Sequence, residues 1–274
     1  VSVKLVAVDM DGTFLNASKN YNRERFQQQY LAMREQGIRF VVASGNQFWQ
    51  LLSFFPQIAG EISFVAENGA CVVSEGEEIY CGHIPQSLVV SILSELEPFS
   101  DIYTVVCGKQ TAWLHQRAPE KVVALMSRHY HRLQRYQSVD EIGDDIFKIA
   151  LTLEDTRIPQ LKAHLSQALN GDLTPVTSGF GFVDLIIPGI HKAHGLKILQ
   201  QRWGIADEEV MAIGDSGNDR EMLLQAGYSF SMANASEEIR QAARYQAGDH
   251  NDEAVLDVID DMLNGVYPFS VSAH

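Results

Sequence analysis

Basic residues are scarce in this 274-residue chain: 21 Lys and Arg stand against 35 Asp and Glu, a formal net charge of −14. Nucleic-acid backbones and anionic membrane surfaces need a basic footprint, so neither is expected as a partner. A small anionic substrate is still compatible, because charge beyond about 10 Å is largely screened. Cysteine is scarce too. Cys71, Cys81 and Cys107 form no CxxC pair, and an odd number cannot close a full disulfide framework, so a reducing, cytoplasmic setting is expected. No window approaches 18 uninterrupted apolar residues, and no charged segment precedes an apolar stretch at the amino end. Neither a membrane helix nor a signal peptide is predicted.

Several common signatures are also missing. There is no G-x-x-x-x-G-K-[ST], which argues against a P-loop nucleotide enzyme. Gly179-Phe180-Gly181 lacks the third glycine and the strand-to-helix setting of a dinucleotide fingerprint. An EF-hand beginning at Asp9 would need glycine where Phe14 stands. The nine histidines include no H-E-x-x-H.

What is present is a 46% hydrophobic content, enough for a sizeable core, in a length that suits one large domain or a core with an inserted module. Apolar runs at Leu5–Val8, Ile38–Ala43 and Ile62–Ala66 alternate with amphipathic segments, one of them opened by Asn22 and closed by Gly37. The pattern resumes with a helix from His191 to Trp203 and a strand at Val210–Ile213. This alternation predicts a doubly wound parallel sheet, an α/β fold. Between about residues 83 and 188 the pattern changes to pairs of strands separated by helices, which predicts an inserted α+β module. The expected organisation is therefore a core of residues 1–82 and 189–274 with a module at 83–188.

Three polar motifs each follow directly on an apolar strand: Asp9-Met-Asp11-Gly-Thr13, Ser44-Gly45-Asn46, and Asp215-Ser-Gly-Asn218-Asp219. In open parallel sheets the carboxyl ends of the strands share one edge, where ligands bind, so the three motifs should converge. Asp9 and Asp11 repel each other, and a divalent cation resolves the conflict. A carboxylate-rich, thiol-free site selects a hard ion, and Mg2+ is expected, with Asp9, Asp11 and Asp215 as candidate ligands. Asp219 either steadies the site from behind or is an ordinary acidic residue in a first helical turn. Lys192, at a helix start where the dipole disfavours it, points either to a nearby anion or to a solvated lysine. The glycines and small donors of the second and third motifs, including Asn218, suit a phosphate cradle. Metal, carboxylates, lysine and small donors are the parts that phosphoryl transfer requires.

In order and spacing, Asp9-Met-Asp11-Gly-Thr13, Ser44, Lys192 and Gly214-Asp215-Ser-Gly-Asn-Asp219 resemble the four motifs of the haloacid dehalogenase superfamily. The insertion resembles the C2-type cap of its Cof-type phosphatases. Ser44-Gly-Asn46 departs from the Thr-Gly-Arg of many Cof-type members and looks more like the bacterial sugar phosphatases of that group. The resemblance implies a Rossmann-like core and an Mg2+-dependent phosphatase acting on phosphorylated hexoses or pentoses. It implies Asp9 as nucleophile, forming an aspartyl-phosphate, and Asp11 as general acid and base. Asp9, the Asp11 backbone carbonyl and Asp215 would hold Mg2+. Ser44, Gly45, Asn46, Lys192 and Asn218 would hold the phosphate, and the turn Thr177–Gly181 of the cap would contact the sugar. A phosphosugar mutase and a non-enzymatic sugar-phosphate sensor remain as alternatives, with a dehalogenase behind them.

Overall fold

The computed structural model describes residues 2–179 and 181–270. Phe180, at the tip of the expected sugar-contacting turn, lies outside the described residues. In chain order the elements are β1 (Leu5–Val8), α1 (Arg23–Glu35), β2 (Arg39–Ala43), α2 (Phe48–Phe54), β3 (Ser63–Ala66), β4 (Cys71–Ser74), β5 (Glu77–Cys81), α3 (Gln86–Leu96), β6 (Tyr103–Gly108), β7 (Ala112–His115), α4 (Glu120–His129) and β8 (Leu133–Tyr136). They continue with β9 (Ile146–Thr152), α5 (Ile158–Ala168), β10 (Thr174–Gly179), β11 (Phe182–Ile186), α6 (Lys192–Trp203), β12 (Val210–Gly214), α7 (Arg220–Gln225), β13 (Tyr228–Ser231), α8 (Glu237–Ala242), β14 (Tyr245–Gln246) and α9 (Ala254–Leu263). None of the described helices is long and apolar enough to cross a membrane.

The chain divides into two compact units, one running up to Ser44 and resuming at Leu196, the other spanning Gly45–Gly195. In the first, five parallel strands lie in the order β14-β13-β12-β1-β2. All four residues of β1 are buried, as befits a strand covered on both faces. Val8 pairs with Ile213, so Asp9 and Gly214-Asp215 leave the sheet side by side at the same edge. Asn22 caps α1 by accepting from the Arg25 N–H at 3.1 Å, and the helix buries Phe26, Tyr30 and Met33. Phe26 meets the Phe14 and Phe40 rings at 5.1 and 4.9 Å, which pins the chain just past Asp11 onto the core.

In the second unit β3, β4 and β5 form an antiparallel meander, and six further strands run in the order β10-β11-β9-β6-β7-β8. All neighbours in that larger sheet are antiparallel except β7 and β8. α3 and α5 cover one of its faces through Ile92, Leu96, Leu161 and Leu165. On the other face, Val122 and Met126 of α4 pack on Val105, Cys107 and Ala150. The architecture is thus a Rossmann-like α/β core carrying an inserted β-rich cap.

Charge is also buried in the second unit. Lys148 of β9, Asp184 of β11 and Glu67, just past β3, all have side chains no more than 3% exposed. The Lys148 ammonium lies 3.1 Å from Asp184 Oδ2 and 3.4 Å from Glu67 Oε2. Burial works against the lysine's charge, but the two carboxylates outweigh it and hold its pKa above the ordinary value. Burial pushes the Glu67 carboxyl from 4.5 up to about 7, with Lys148 offsetting part of the rise. The folded protein therefore binds a proton at Glu67 that the unfolded chain releases between those two values. Stability falls as pH rises through that window, by on the order of 3 kcal/mol from this group. Glu67→Gln removes the titration. Urea denaturation at pH 5 and pH 8 should show a smaller loss of stability for the variant than for the parent; equal losses would contradict the assignment.

Candidate active site

The site is built on the carboxyl edge of the first unit's sheet. Asp9 follows β1 directly, is 5% exposed, and donates its backbone N–H to Ile213 O at 3.0 Å. The next residues turn at once: the Thr13 N–H reaches Met10 O, and the Phe14 N–H reaches Asp9 O. Gly12 sits at the apex with φ +75°, and a Cβ there would come within 2.5 Å of Asp215 Oδ2. Only glycine lets the loop carrying Asp9 and Asp11 approach Asp215 so closely.

Asp215 is held from three directions. Thr13 Oγ1 donates to its Oδ1 at 2.8 Å, and Ser216 Oγ donates to its Oδ2 at 3.0 Å. Behind it, Asp219 Oδ2 accepts the backbone N–H groups of Asp215 and Ser216 at 2.9 and 3.0 Å. Asp219 is wholly buried and is not an ordinary surface acid of a first helical turn.

Asp9, Asp215 and Asp219 present carboxylate oxygens that all lie within 4.8 Å of one another. Burial raises the Asp215 carboxyl pKa, and the Asp219 charge adds to the rise. Three carboxylates in one largely buried cluster are unfavourable without a cation, and an all-oxygen donor set suits Mg2+. The residues fit the ion, and the cluster is a Mg2+ site.

Asp11 is only partly buried, and its Oδ1 accepts from Lys19 Nζ at 2.6 Å. Ser44, at the end of β2, and Asn218, in the short turn Gly217–Asp219, are both buried in this unit. Gly45, Asn46 and Lys192 belong to the second unit. There Lys192 opens α6 with none of its surface exposed, so the solvated-lysine reading does not hold.

Three contributors escape a reading of the sequence. Thr13 and Lys19 bind carboxylates of the site, and Asn234 Nδ2 donates to Gly12 O at 2.9 Å, bracing the turn from 222 positions away. The Thr of Asp-Gly-Thr is a visible signal for the first. Nothing in the local sequence marks the other two.

Residues 6–259 match the family described as haloacid dehalogenase-like hydrolase. The 5-amino-6-(5-phospho-D-ribitylamino)uracil phosphatase YbjI of Escherichia coli is 49% identical over 98% of this chain and 99% of its own length. An HMP-PP phosphatase of Cronobacter sakazakii is 26% identical over 85% of each chain. Among solved structures, SMU.1108c of Streptococcus mutans superposes with a TM-score of 0.93 at 35% identity, covering 96% of this chain and all of that one. Likeness of that extent, in sequence and in backbone, establishes kinship: the protein belongs to the haloacid dehalogenase-like hydrolase family.

Proposed function

We propose that this protein is a Cof-type, Mg2+-dependent phosphatase. Its substrates on this reading are phosphomonoesters of a sugar or sugar-alcohol chain, cleaved through an aspartyl-phosphate on Asp9. The observation that carries the reading is the buried Asp9 at the end of β1, packed against Asp215 and Asp219. Asp9 attacks phosphorus in line while the ester oxygen leaves with a proton from Asp11. Asp11 then takes a proton from water, the water attacks phosphorus, and the bond to Asp9 breaks to release inorganic phosphate. Asp11 must exchange its Lys19 contact for the substrate during this cycle. Thr13 and Ser216 fix Asp215, and Asp219 fixes the backbone that carries it. When bound, Mg2+ offsets negative charge on the transferring group. Ser44, Gly45, Asn46, Lys192 and Asn218 hold the phosphate oxygens, and residues 83–188 form the cap module that chooses the leaving group.

Hexose and pentose phosphates fit this chemistry, but the relative at 49% identity narrows the choice. The substrate in that relative's name carries its phosphate on a ribityl chain attached to a pyrimidine, and that compound is the first to test. Phosphate release should be measured from it, from hexose and pentose phosphates, from nucleotides and from para-nitrophenyl phosphate, with Mg2+ and with EDTA. Mg2+-dependent release, fastest from the phosphoribityl compound or from phosphorylated sugars, supports the reading. No release from any of them, or an isomerised sugar phosphate in place of free phosphate, would overturn it.

A further inference from the structure

The buried lysine of β9 has no part in the chemistry above, yet it bonds the segment that follows Ser44. Lys148 Nζ donates to Gly45 O, as well as to Asp184 Oδ2. Lys148 and Asp184 stand two positions out of register on the antiparallel pair β9–β11, where Ile186 faces Lys148 and Asp184 faces Ala150. Such diagonal neighbours share one face of a sheet. Asp184 Oδ2 accepts a second bond, from Asn68 Nδ2 at 2.6 Å.

Asn68 belongs to an unusual turn. Glu67, Asn68 and Gly69 all have positive φ, at 51°, 56° and 98°. Two consecutive non-glycine residues in the left-handed region are strained, and such strain persists only where the surroundings enforce it. Here the turn is bonded on several sides. The Glu67 N–H donates to Asn46 O at 3.2 Å, while Lys148 lies against the Glu67 carboxylate. Gly69 meets the other side of the unit: a Cβ on it would lie 2.2 Å from His191 O, the carbonyl just before Lys192. The same turn thus abuts both the Gly45–Asn46 segment and the start of α6.

We propose that Lys148 is a positioning residue: from the larger sheet of the second unit it fixes Gly45 directly, and Lys192 through the Glu67–Gly69 turn, in place to hold the substrate phosphate. The inference rests on the reading, given above, that these segments bind phosphate. A lysine serves this purpose because one ammonium can donate to a carbonyl and a carboxylate at once while its charge faces a second carboxyl group.

The test is Lys148→Met, assayed for kcat, KM and competitive inhibition by inorganic phosphate. Misplacing a binding group by about 1 Å can cost on the order of 10²-fold. KM and the phosphate inhibition constant should rise together by about tenfold or more, and kcat/KM should fall about 10²-fold. Lys148→Arg keeps a cationic donor and should recover at least about tenfold of that loss. Should Lys148→Met not fold, Asp184→Asn loosens the same lysine and should raise both constants in the same direction, by a smaller factor. An unchanged phosphate inhibition constant in the soluble variants, with only kcat or thermal stability reduced, would make Lys148 a packing residue and overturn the proposal. A wild-type enzyme that is not inhibited by phosphate at all would instead overturn the phosphate-site reading on which it rests.

Discussion

Asp9→Asn should lose turnover by on the order of 10⁴-fold or more on every phosphomonoester, the size of effect seen when a covalent nucleophile is removed. The fold should survive. Asparagine has nearly the same shape, and the segment's main-chain bonds, including the Asp9 N–H to Ile213 O, do not involve the carboxylate. Stability should in fact respond differently with and without metal. Asp9, Asp215 and Asp219 crowd their oxygens within 4.8 Å, so removing one charge relieves repulsion in the metal-free protein. Each kcal/mol regained corresponds to about 2–4 °C in Tm for a chain of this size class, so a rise of a few degrees is expected in EDTA. With Mg2+ added, the variant should gain less than the parent, because it has lost one candidate ligand. Thermal melts with and without Mg2+ read this, alongside the assay. Substantial residual activity would contradict the nucleophile assignment. An unfolded variant would show that the Asp9 carboxylate itself supports the fold.

Asp11→Asn should give the second largest effect, and one that depends on the leaving group. A sugar or polyol alkoxide leaves poorly without a proton, and general acid help of this kind is worth about 10²- to 10⁴-fold. A nitrophenolate leaves unaided, so formation of the intermediate from para-nitrophenyl phosphate should be far less affected. The comparison is made on the first step, by the burst of nitrophenol against the rate of alcohol release from a sugar phosphate. Equal losses on both would remove Asp11 from the acid role. The substitution also breaks the pair with Lys19, but that pair is partly exposed, with side-chain exposures of 46% and 19%, and such pairs contribute little. Tm should therefore stay close to that of the parent.

The alternation of buried strands and amphipathic helices made the core of the fold legible. It also placed Asp9, Ser44 and Asp215 after strands β1, β2 and β12 of one sheet. The three motifs announce themselves because charged and polar residues follow apolar runs at the one edge where strand ends meet. Strands β5, β8 and β14 were not legible. β5 reads Glu-Glu-Ile-Tyr-Cys and β8 reads Leu-Gln-Arg-Tyr, polar enough to pass for loops, and each lies at the end of its sheet. Edge strands carry such residues to discourage further pairing, which hides them from a search for apolar runs. β14 is only two residues long.

The supporting residues of the site divide in the same way. Asp219 was ambiguous because its value lies in accepting two backbone N–H groups, a geometry that spacing alone does not disclose. Lys192 was ambiguous because burial, which removes the solvated reading, is a tertiary property. Asn234 reaches Gly12 across 222 positions and carries no local mark. Lys148 does carry one. It interrupts the run Ile-Phe-Lys-Ile-Ala-Leu in a strand whose first six residues are all buried, and a lysine there is costly unless it is paired.

The most direct test of the account is to quench the enzyme acid within a single turnover of 32P-labelled substrate in the presence of Mg2+, and to map any label by proteolysis and mass spectrometry. The account predicts acid-stable, hydroxylamine-labile label on the peptide that contains Asp9, absent in EDTA and absent from Asp9→Asn. Turnover without any trapped phosphoenzyme under conditions that accumulate it, or label confined to another residue, would contradict phosphoryl transfer through Asp9.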